Sequence, residues 1–420
     1  MRRDHPRALV IGAGSAGLSA AAALARRGVP TLVLEEGDGV GRSWRQRHDE
    51  LRLNTVRWLS DLRGPRIPRT AGRWVTRDDY VAHLVDFTTY HRLDVRFGVR
   101  AERIDRAGDR WRVRTGDGDC EAEHVVVATG LDRVPQTPHW PGRDSFTAPV
   151  LHAAALHRVT GLAGRRVLLV GAGNSGVELA AHLVDAPVTQ LWVSVRTPPT
   201  IMPLEVAGIP LNPIAVALRA LPERVRAAAA HRISRLSIGD LAAHGLPAPR
   251  QGPHARLRTT GTTAAVDRGF VRHLTAGRLE IVPEIDHLTG ADVVLRGGRS
   301  VRPDIVVSAT GFRPGLEPLV GHLGVLDEGG HPVASAARPA APGLWFIGYQ
   351  PAIEGNLRRH PIEARSIARR IIRPHTKPLV QVQRTMRGSG GGLGTEGCPQ
   401  VDPQLERARP SVGCLVEGAP

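Results

Sequence analysis

The sequence predicts an α/β chain of two helix-flanked parallel sheets, the second set inside the first. Three observations carry that expectation. A strand, a glycine loop, a helix and a second strand open the chain. The same device returns at Gly171, with Gly-Ala-Gly and a fresh helix. Two further strands, one on either side of the second copy, each end in Ala-Thr-Gly. A length of 420 residues suits two or three domains.

The elements follow in order. Ala8-Leu-Val-Ile-Gly12 is a short apolar run of strand type. Ser15 to Arg27 is rich in Ala and Leu, and Gly28 supplies a helix stop. Thr31-Leu-Val-Leu-Glu35 is the next strand, closing a β-α-β unit. Val125 to Gly130 is a strand ending in Ala-Thr-Gly. Arg166 to Gly171, Val177 to Val184 and Gln190 to Val195 repeat strand, helix and strand. Ile305 to Gly311 again ends in Ala-Thr-Gly, and a last helix is expected from about Pro361 to Ile372. The expected domains are 1–145 and 300–373 for the outer unit and 146–299 for the inner one. Residues 200–265 depart from the pattern, with a helical stretch from Pro213 to Arg235. They read equally as a cap over a site or as a surface insertion. From 374 to 420 a Gly/Ser-rich linker leads into sequence without periodicity, which reads as a disordered tail.

Composition removes several classes of function. The formal net charge is +16, which ordinarily points to nucleic acid or an anionic membrane. Lys377 is the only lysine among 56 basic residues, though, and aromatics are 4%. A nucleic-acid surface needs stacking aromatics among its cations, so the excess reads as compositional and no nucleic-acid partner is expected. Cys120, Cys398 and Cys414 form no C-x-x-C, which argues against a disulfide framework, a zinc ribbon or a redox dithiol, and no metal site is expected. No apolar run is long enough to span a membrane, and the N-terminus lacks a signal-peptide pattern, so a cytoplasmic protein is expected.

The glycine loops carry the chemistry. In Gly12-Ala-Gly14-Ser15-Ala-Gly17 the first Gly permits a tight turn and the second admits a pyrophosphate. The third lets helix and strand pack closely. The helix N-terminus then offers free N–H groups to phosphate. Glu35 ends the following strand, where a carboxylate accepts hydrogen bonds from ribose hydroxyls. Gly171-Ala-Gly173-Asn174-Ser175-Gly176 repeats the device, but its second strand ends at Arg196. A guanidinium there suits a 2′-phosphate, which a carboxylate would repel. Arg196 also reads as one more solvated arginine in an arginine-rich chain. These are two Rossmann-like dinucleotide-binding domains of opposite ribose chemistry. FAD belongs at the acid-ended site and NADPH at the arginine-ended one, with the NADPH domain inserted into the FAD domain.

Five motifs taken together resemble the bacterial flavin-containing monooxygenase-like family. It includes the class B flavoprotein monooxygenases and is related to the plant indole-pyruvate monooxygenases. They are Gly39-Val-Gly41-Arg-Ser-Trp44, Leu51-Arg-Leu-Asn54-Thr55, the strand to Gly130, the second glycine loop, and the pair Ala-Thr-Gly311-Phe312 and Gly343-Leu-Trp-Phe-Ile-Gly348. The resemblance runs from about Ala8 to Ile372. It implies that Trp44, Asn54, Thr129, Gly130, Gly311 and Gly348 belong to the cofactor sites, with Asn54 beside flavin and nicotinamide as the catalytic residue. Asn54 also reads as a turn residue bonded to its own backbone. Asn356 and Leu357 are further candidates on the last loop.

The implied reaction uses NADPH to reduce FAD. O₂ then gives a C4a-(hydro)peroxyflavin, which inserts one oxygen atom into a small organic substrate. The alternative is a reductase or oxidase on the same architecture without oxygen transfer. One stretch departs from the family pattern. Phe146 and His152 are kept, but Ala148 replaces a glycine and Leu156 replaces an aromatic. That weakens the case for ketone-to-ester chemistry. His152 reads either as an orienter of the interdomain linker or as a satisfied structural histidine, and not as a catalytic base. The substrate, the atom oxygenated and the oligomeric state have no sequence signal.

Overall fold

The computed structural model describes residues 6–353 and 355–372. The expected tail at 374–420, with Cys398 and Cys414, lies outside the described residues.

Two parallel five-stranded sheets organise the chain. The first runs Leu344–Phe346, His124–Val127, Ala8–Ile11, Thr31–Leu34, Asp94–Arg96. The second runs Glu280–Val282, Gln190–Ser194, Arg166–Val170, Ile305–Ser308, Val150–His152. Parallel strands buried on both faces read as unbroken apolar runs, which is why Ala8-Leu-Val-Ile and Arg166-Val-Leu-Leu-Val were visible as strands. Alternation still sorts the side chains. Ala8 and Val10 join a core shared with the helices Ser15–Ala25, Arg77–Tyr90 and Asn356–Ile371. Leu9 and Ile11 face the other way, onto Ile104, Trp111 and Val113 of the antiparallel strands Ala101–Ala107 and Arg110–Thr115. The second sheet repeats this plan. Val167 and Leu169 meet the helix Asn174–Asp185. Leu168 and Val170 meet Ile285, Leu288 and Val293 of another antiparallel sheet. Each unit is thus helix, parallel sheet and antiparallel sheet in three layers.

One boundary differs from expectation. Ile305–Ser308 was expected to start the outer unit's return segment at 300, yet it pairs with Arg166–Val170 in the inner sheet. The physical reason is the internal repeat. The register Val167↔Ile305 reproduces Ala8↔His124 of the first sheet. In both sheets the strand ending in Ala-Thr-Gly lies beside the strand ending in the glycine loop. The chain re-enters the first sheet only at Leu344–Phe346.

The last helix also starts earlier than expected, at Asn356, with Pro361 inside it. Pro usually ends or starts a helix because it lacks an N–H and crowds the preceding turn. Here Leu357 and His360, both buried, hold that preceding turn in place. The stretch from Pro213 to Arg235 resolves into two helices, Leu211–Ala217 and Glu223–Ile238. The segment 200–265 leaves and returns through paired parallel strands, Ile201–Pro203 and Ala265–Asp267. Its hairpin, Glu205–Val206 with Ile209–Pro210, reaches the first unit, where Arg73 pairs with Glu205 at 3.2 Å and donates to the Gly208 carbonyl at 2.9 Å.

Candidate functional site

At the first loop Gly12 adopts φ +104°, and an added Cβ would lie 2.8 Å from the Ala128 carbonyl oxygen. At Gly17 it would lie 1.9 Å from the Gly12 oxygen. A Cβ on Gly14 would meet nothing within 4 Å. Two glycines therefore close the packing of helix on strand, and the middle one opens a space. The helix Ser15–Ala25 has no side-chain cap and no acid in its first turn. Its leading N–H groups lack intrahelical acceptors and face that space, which makes an anion cradle.

Side chains around the cradle are arranged by the rest of the unit. Glu35 is 5% exposed; its carboxylate accepts from the Ala13 N–H at 2.6 Å and the Gly37 N–H at 2.9 Å. It holds the loop, and each oxygen keeps a further lone pair unused by the protein. Ser15 is buried, and its hydroxyl meets His360 Nδ1 at 3.0 Å. Ser15 thus offers a ligand its N–H rather than its side chain. Burial pushes His360 down to about 4, so it is neutral at physiological pH. Trp44 packs edge-on against Tyr80 at 4.9 Å and is part of the wall. Thr129 shares a hydrogen bond of 2.8 Å with the Tyr349 hydroxyl, and Gly130 is open beside it. Gly348 adopts φ +82° and donates its N–H to Glu363 at 3.0 Å; an added Cβ would lie 2.9 Å from the Ala16 Cβ. The Asn356 amide oxygen accepts from the Ala352 N–H at 2.9 Å, tying down the last loop, and Leu357 is buried in the core. A Cβ on Gly355 would lie 2.6 Å from Thr55 Oγ1. The loops at 12–17, 54–55 and 348–355 therefore converge.

The second loop repeats the first. A Cβ on Gly171 would lie 2.7 Å from the Ala309 oxygen, one on Gly176 would lie 2.0 Å from the Gly171 oxygen, and Gly173 is open. Ser175 is exposed. Asn174 is occupied: its amide donates to Thr263 Oγ1 at 3.0 Å and the Ala264 carbonyl at 3.1 Å, and accepts from the Val266 N–H at 3.1 Å. Its side chain anchors the returning end of the 200–265 segment. Arg196, just past the strand Gln190–Ser194, is exposed and has no ion-pair partner among the described residues. Gly311 belongs to this loop, and its carbonyl accepts from His152 Nε2 at 3.0 Å. His152 Nδ1 accepts from the Ala154 N–H, and the ring meets Phe312 at 4.9 Å. Both ring nitrogens are thus used structurally.

Asn54 lies where the two units meet. Its Oδ1 accepts from Arg268 Nε at 2.9 Å, and Arg268 also donates to the Leu53 carbonyl at 2.6 Å. A guanidinium can only donate, so the amide is oriented with its N–H₂ free. The reading of Asn54 as a turn residue bonded to its own backbone is not what is seen. Arg268 stacks over Trp74 at 5.5 Å. Facing it is Glu178, 5% exposed, from the helix Asn174–Asp185. Burial pushes Glu178 up to about 7, against the pull of Arg268 and a hydrogen bond from the Arg52 N–H. One turn on, His182 stands 5.5 Å from His48, which burial and this neighbour push down to about 4. Arg268 and Glu178 escaped the sequence reading. Glu178 had one usable signal, an acid on the buried face of the helix after a glycine loop. Arg268 had none.

Known proteins resemble the chain over most of its described length. The flavin-binding monooxygenase-like family matches residues 106–316, and the pyridine nucleotide-disulphide oxidoreductase family matches residues 9–200. Indole-3-pyruvate monooxygenase YUCCA1 of Oryza sativa subsp. japonica is 33% identical over 317 residues, spanning 73% of this chain and 77% of the relative. Among solved structures, a flavin-containing monooxygenase from Stenotrophomonas maltophilia superposes with a TM-score of 0.66 at 24% identity, covering 88% of this chain and 98% of that one. Cyclohexanone monooxygenase gives 0.66 at 20% identity, with 87% of each chain covered. A bacillithiol disulfide reductase from Staphylococcus aureus gives 0.63 at 15%, covering 87% of this chain and 98% of that one. At these identities the structural likenesses speak to the fold alone.

Proposed function

The chain belongs to the flavin-binding monooxygenase-like family, and on that premise we propose an NADPH-dependent FAD monooxygenase that inserts one atom of O₂ into a small organic substrate. The observation that carries the assignment of the cofactors is the contrast at the two strand ends. Glu35 is a buried carboxylate at one loop, and Arg196 is an exposed, unpaired guanidinium at the other. The open Gly14 and Gly173 positions each leave room for a pyrophosphate, so the residues present fit both groups.

FAD would be held by the Gly12–Gly17 loop, Glu35, the Thr129–Gly130 turn and the Gly348 loop. NADPH would be held by the Gly171–Gly176 loop, with Arg196 on its 2′-phosphate. Bound together with O₂, the two cofactors supply the oxygen-transfer chemistry. The protein's part is to place and to shield. Arg268 takes the oxygen of the Asn54 amide and leaves two N–H donors toward the junction of the units. An amide there donates without taking a proton from the reacting groups. The packed loops at Thr55, Gly348 and Gly355 would help to shield that junction from bulk water once the cofactors are bound.

A reductase without oxygen transfer is the competing reading, supported by the disulphide-oxidoreductase match. That chemistry needs paired thiols. Cys120, half-buried in an antiparallel sheet, is the only cysteine among the described residues. The test is direct. The purified protein should carry FAD, oxidise NADPH faster than NADH, and place heavy oxygen from labelled O₂ into product. Indole-3-pyruvate, the acid named for the plant relatives, is the first substrate to offer. Arg196→Ala should raise KM for NADPH about tenfold and leave NADH unchanged. Equal use of both nicotinamides by the parent would overturn the Arg196 assignment. Release of all reducing equivalents as hydrogen peroxide, with every substrate tried, would favour the oxidase reading.

A further inference from the structure

The helices Ser15–Ala25 and Asn356–Ile371 pack side by side and run in the same direction. Ser15 meets His360 near one end, and Arg26 faces Arg365 toward the other. Both helix C-termini therefore point to the same region, at the edge of the first sheet where its strands begin. Five arginines collect there. Arg26 and Arg27 follow the first helix, Arg365 and Arg369 lie on the second, and Arg63 sits on a turn with φ +69°. Arg26 donates to the Arg63 carbonyl at 3.3 Å, Arg27 to the Ala23 carbonyl at 3.1 Å and Arg365 to the Pro361 carbonyl at 3.2 Å.

Among the described residues no carboxylate pairs with any of the five. Burial first, and then the guanidiniums of Arg63, Arg369, Arg26 and Arg27, hold Arg365 below its ordinary range. Arginine at a helix C-terminus has an ordinary explanation, since it complements the macrodipole. Magnitudes decide whether that suffices. Two helix termini supply about −1 of charge between them, which leaves about +4 from the five guanidiniums uncompensated. Other arginines of the chain do meet carboxylates, as with Arg166 and Asp304 at 2.7 Å or Arg302 and Asp292 at 2.7 Å. Water and salt screen much of the repulsion among these exposed and half-buried groups, and an anion that bridges them would lower it further.

We propose that Arg26, Arg27, Arg63, Arg365 and Arg369 form a binding site for a phosphate-bearing polyanion, separate from both cofactor cradles. Planar guanidinium forks match phosphate oxygens in pairs. A chain of three phosphates carries about −4 at neutral pH, close to the residual charge of the cluster. The site is remote from the flavin loop because the helix Ser15–Ala25, 11 residues and so about 16 Å long, separates them. The ligand is either a soluble polyphosphate or the head group of a phosphorylated lipid.

The test uses the full chain with FAD bound and the second cradle saturated with NADP⁺. Inorganic triphosphate is titrated calorimetrically at low salt. In a second arm the protein is sedimented with phosphatidylcholine vesicles, with and without phosphatidylinositol bisphosphate. The variant R365E/R369E should weaken binding by at least about tenfold. The variant R224E/R232E, on the exposed helix Glu223–Ile238, makes the same change in net charge and should weaken it less than about twofold. The neutral R26Q/R365Q should weaken binding by about threefold, and it reads the site if charge reversal impairs folding. Flavin content reports folding throughout. Binding of triphosphate assigns a soluble ligand, and binding confined to the phosphoinositide vesicles assigns a lipid; either supports the site. Equal losses in R365E/R369E and R224E/R232E, or no binding of either probe by the parent, would overturn it.

Discussion

The two glycine loops are near copies in backbone and opposites in what surrounds them. In each, the outer glycines would clash with a carbonyl oxygen and the middle glycine faces open space. The first loop is held from behind by the buried Glu35 and covered by His360 of the last helix. Among the described residues no carboxylate holds the second; its Asn174 is bound to the base of the 200–265 segment, and its Arg196 is exposed to solvent. On the proposed reading, one backbone device serves two ligands, and the residue at the end of the neighbouring strand, Glu35 or Arg196, selects between them.

The comparison can be broken at several points. Gly17→Val should cost upwards of about 3 kcal/mol of stability, and Gly176→Val a similar amount, since each forces a side chain onto a carbonyl oxygen. Denaturant unfolding reads this, and a tolerant Gly176 would mean the copies are not equivalent. Glu178 gives the next effect. Its carboxyl is raised to about 7 by burial, so the folded state binds that proton more tightly than the unfolded chain. Its contribution to stability therefore falls as pH rises from the ordinary carboxyl range through about 7, by on the order of 3 kcal/mol. Glu178→Gln should flatten that fall, measured by unfolding at both ends of the window; an unchanged slope removes Glu178 as its cause. Arg268→Ala should destabilise by about 1–3 kcal/mol through two lost charged hydrogen bonds. It should also raise the peroxide released per NADPH oxidised; an unchanged coupling ratio would make Arg268 a purely structural bridge. Gly14→Ala and Gly173→Ala should each change stability by less than about 0.5 kcal/mol, because both positions have ordinary φ and open space. They should separate in function, the first losing flavin and the second raising KM for NADPH. Identical phenotypes would erase the distinction between the loops.

What was legible in the sequence was local. Both loops, their strands and the pattern of six glycines are fixed by neighbours in the chain, so periodicity and spacing revealed them. The partner of each loop was not. Ala128 and Ala309 lie under Gly12 and Gly171 through sheet pairing, and placing Ile305–Ser308 in the outer unit overlooked that the repeat includes its second Ala-Thr-Gly strand. Pro361 misled because a local rule was overridden by the packing of Leu357 and His360. The Arg268–Asn54 contact joins residues 214 positions apart, with no pattern to announce it. Asn174 and Ser15 count among the cofactor-loop residues by their place in the glycine motifs alone. Which way their polar atoms turn is decided by Thr263, Ala264, Val266 and His360.

The paired strands Ile201–Pro203 and Ala265–Asp267 have a consequence for how such a protein can change. The chain leaves and returns at adjacent, hydrogen-bonded positions, pinned by Asn174 on the inner side. Everything between them is a cassette with a closed seam. Its length and sequence can drift or be exchanged while both nucleotide cradles keep their geometry, and its hairpin still reaches the wall beside Asn54 through Arg73 and Trp74. Changes confined to that one interval are thus separated from the strand ends that carry the two glycine loops.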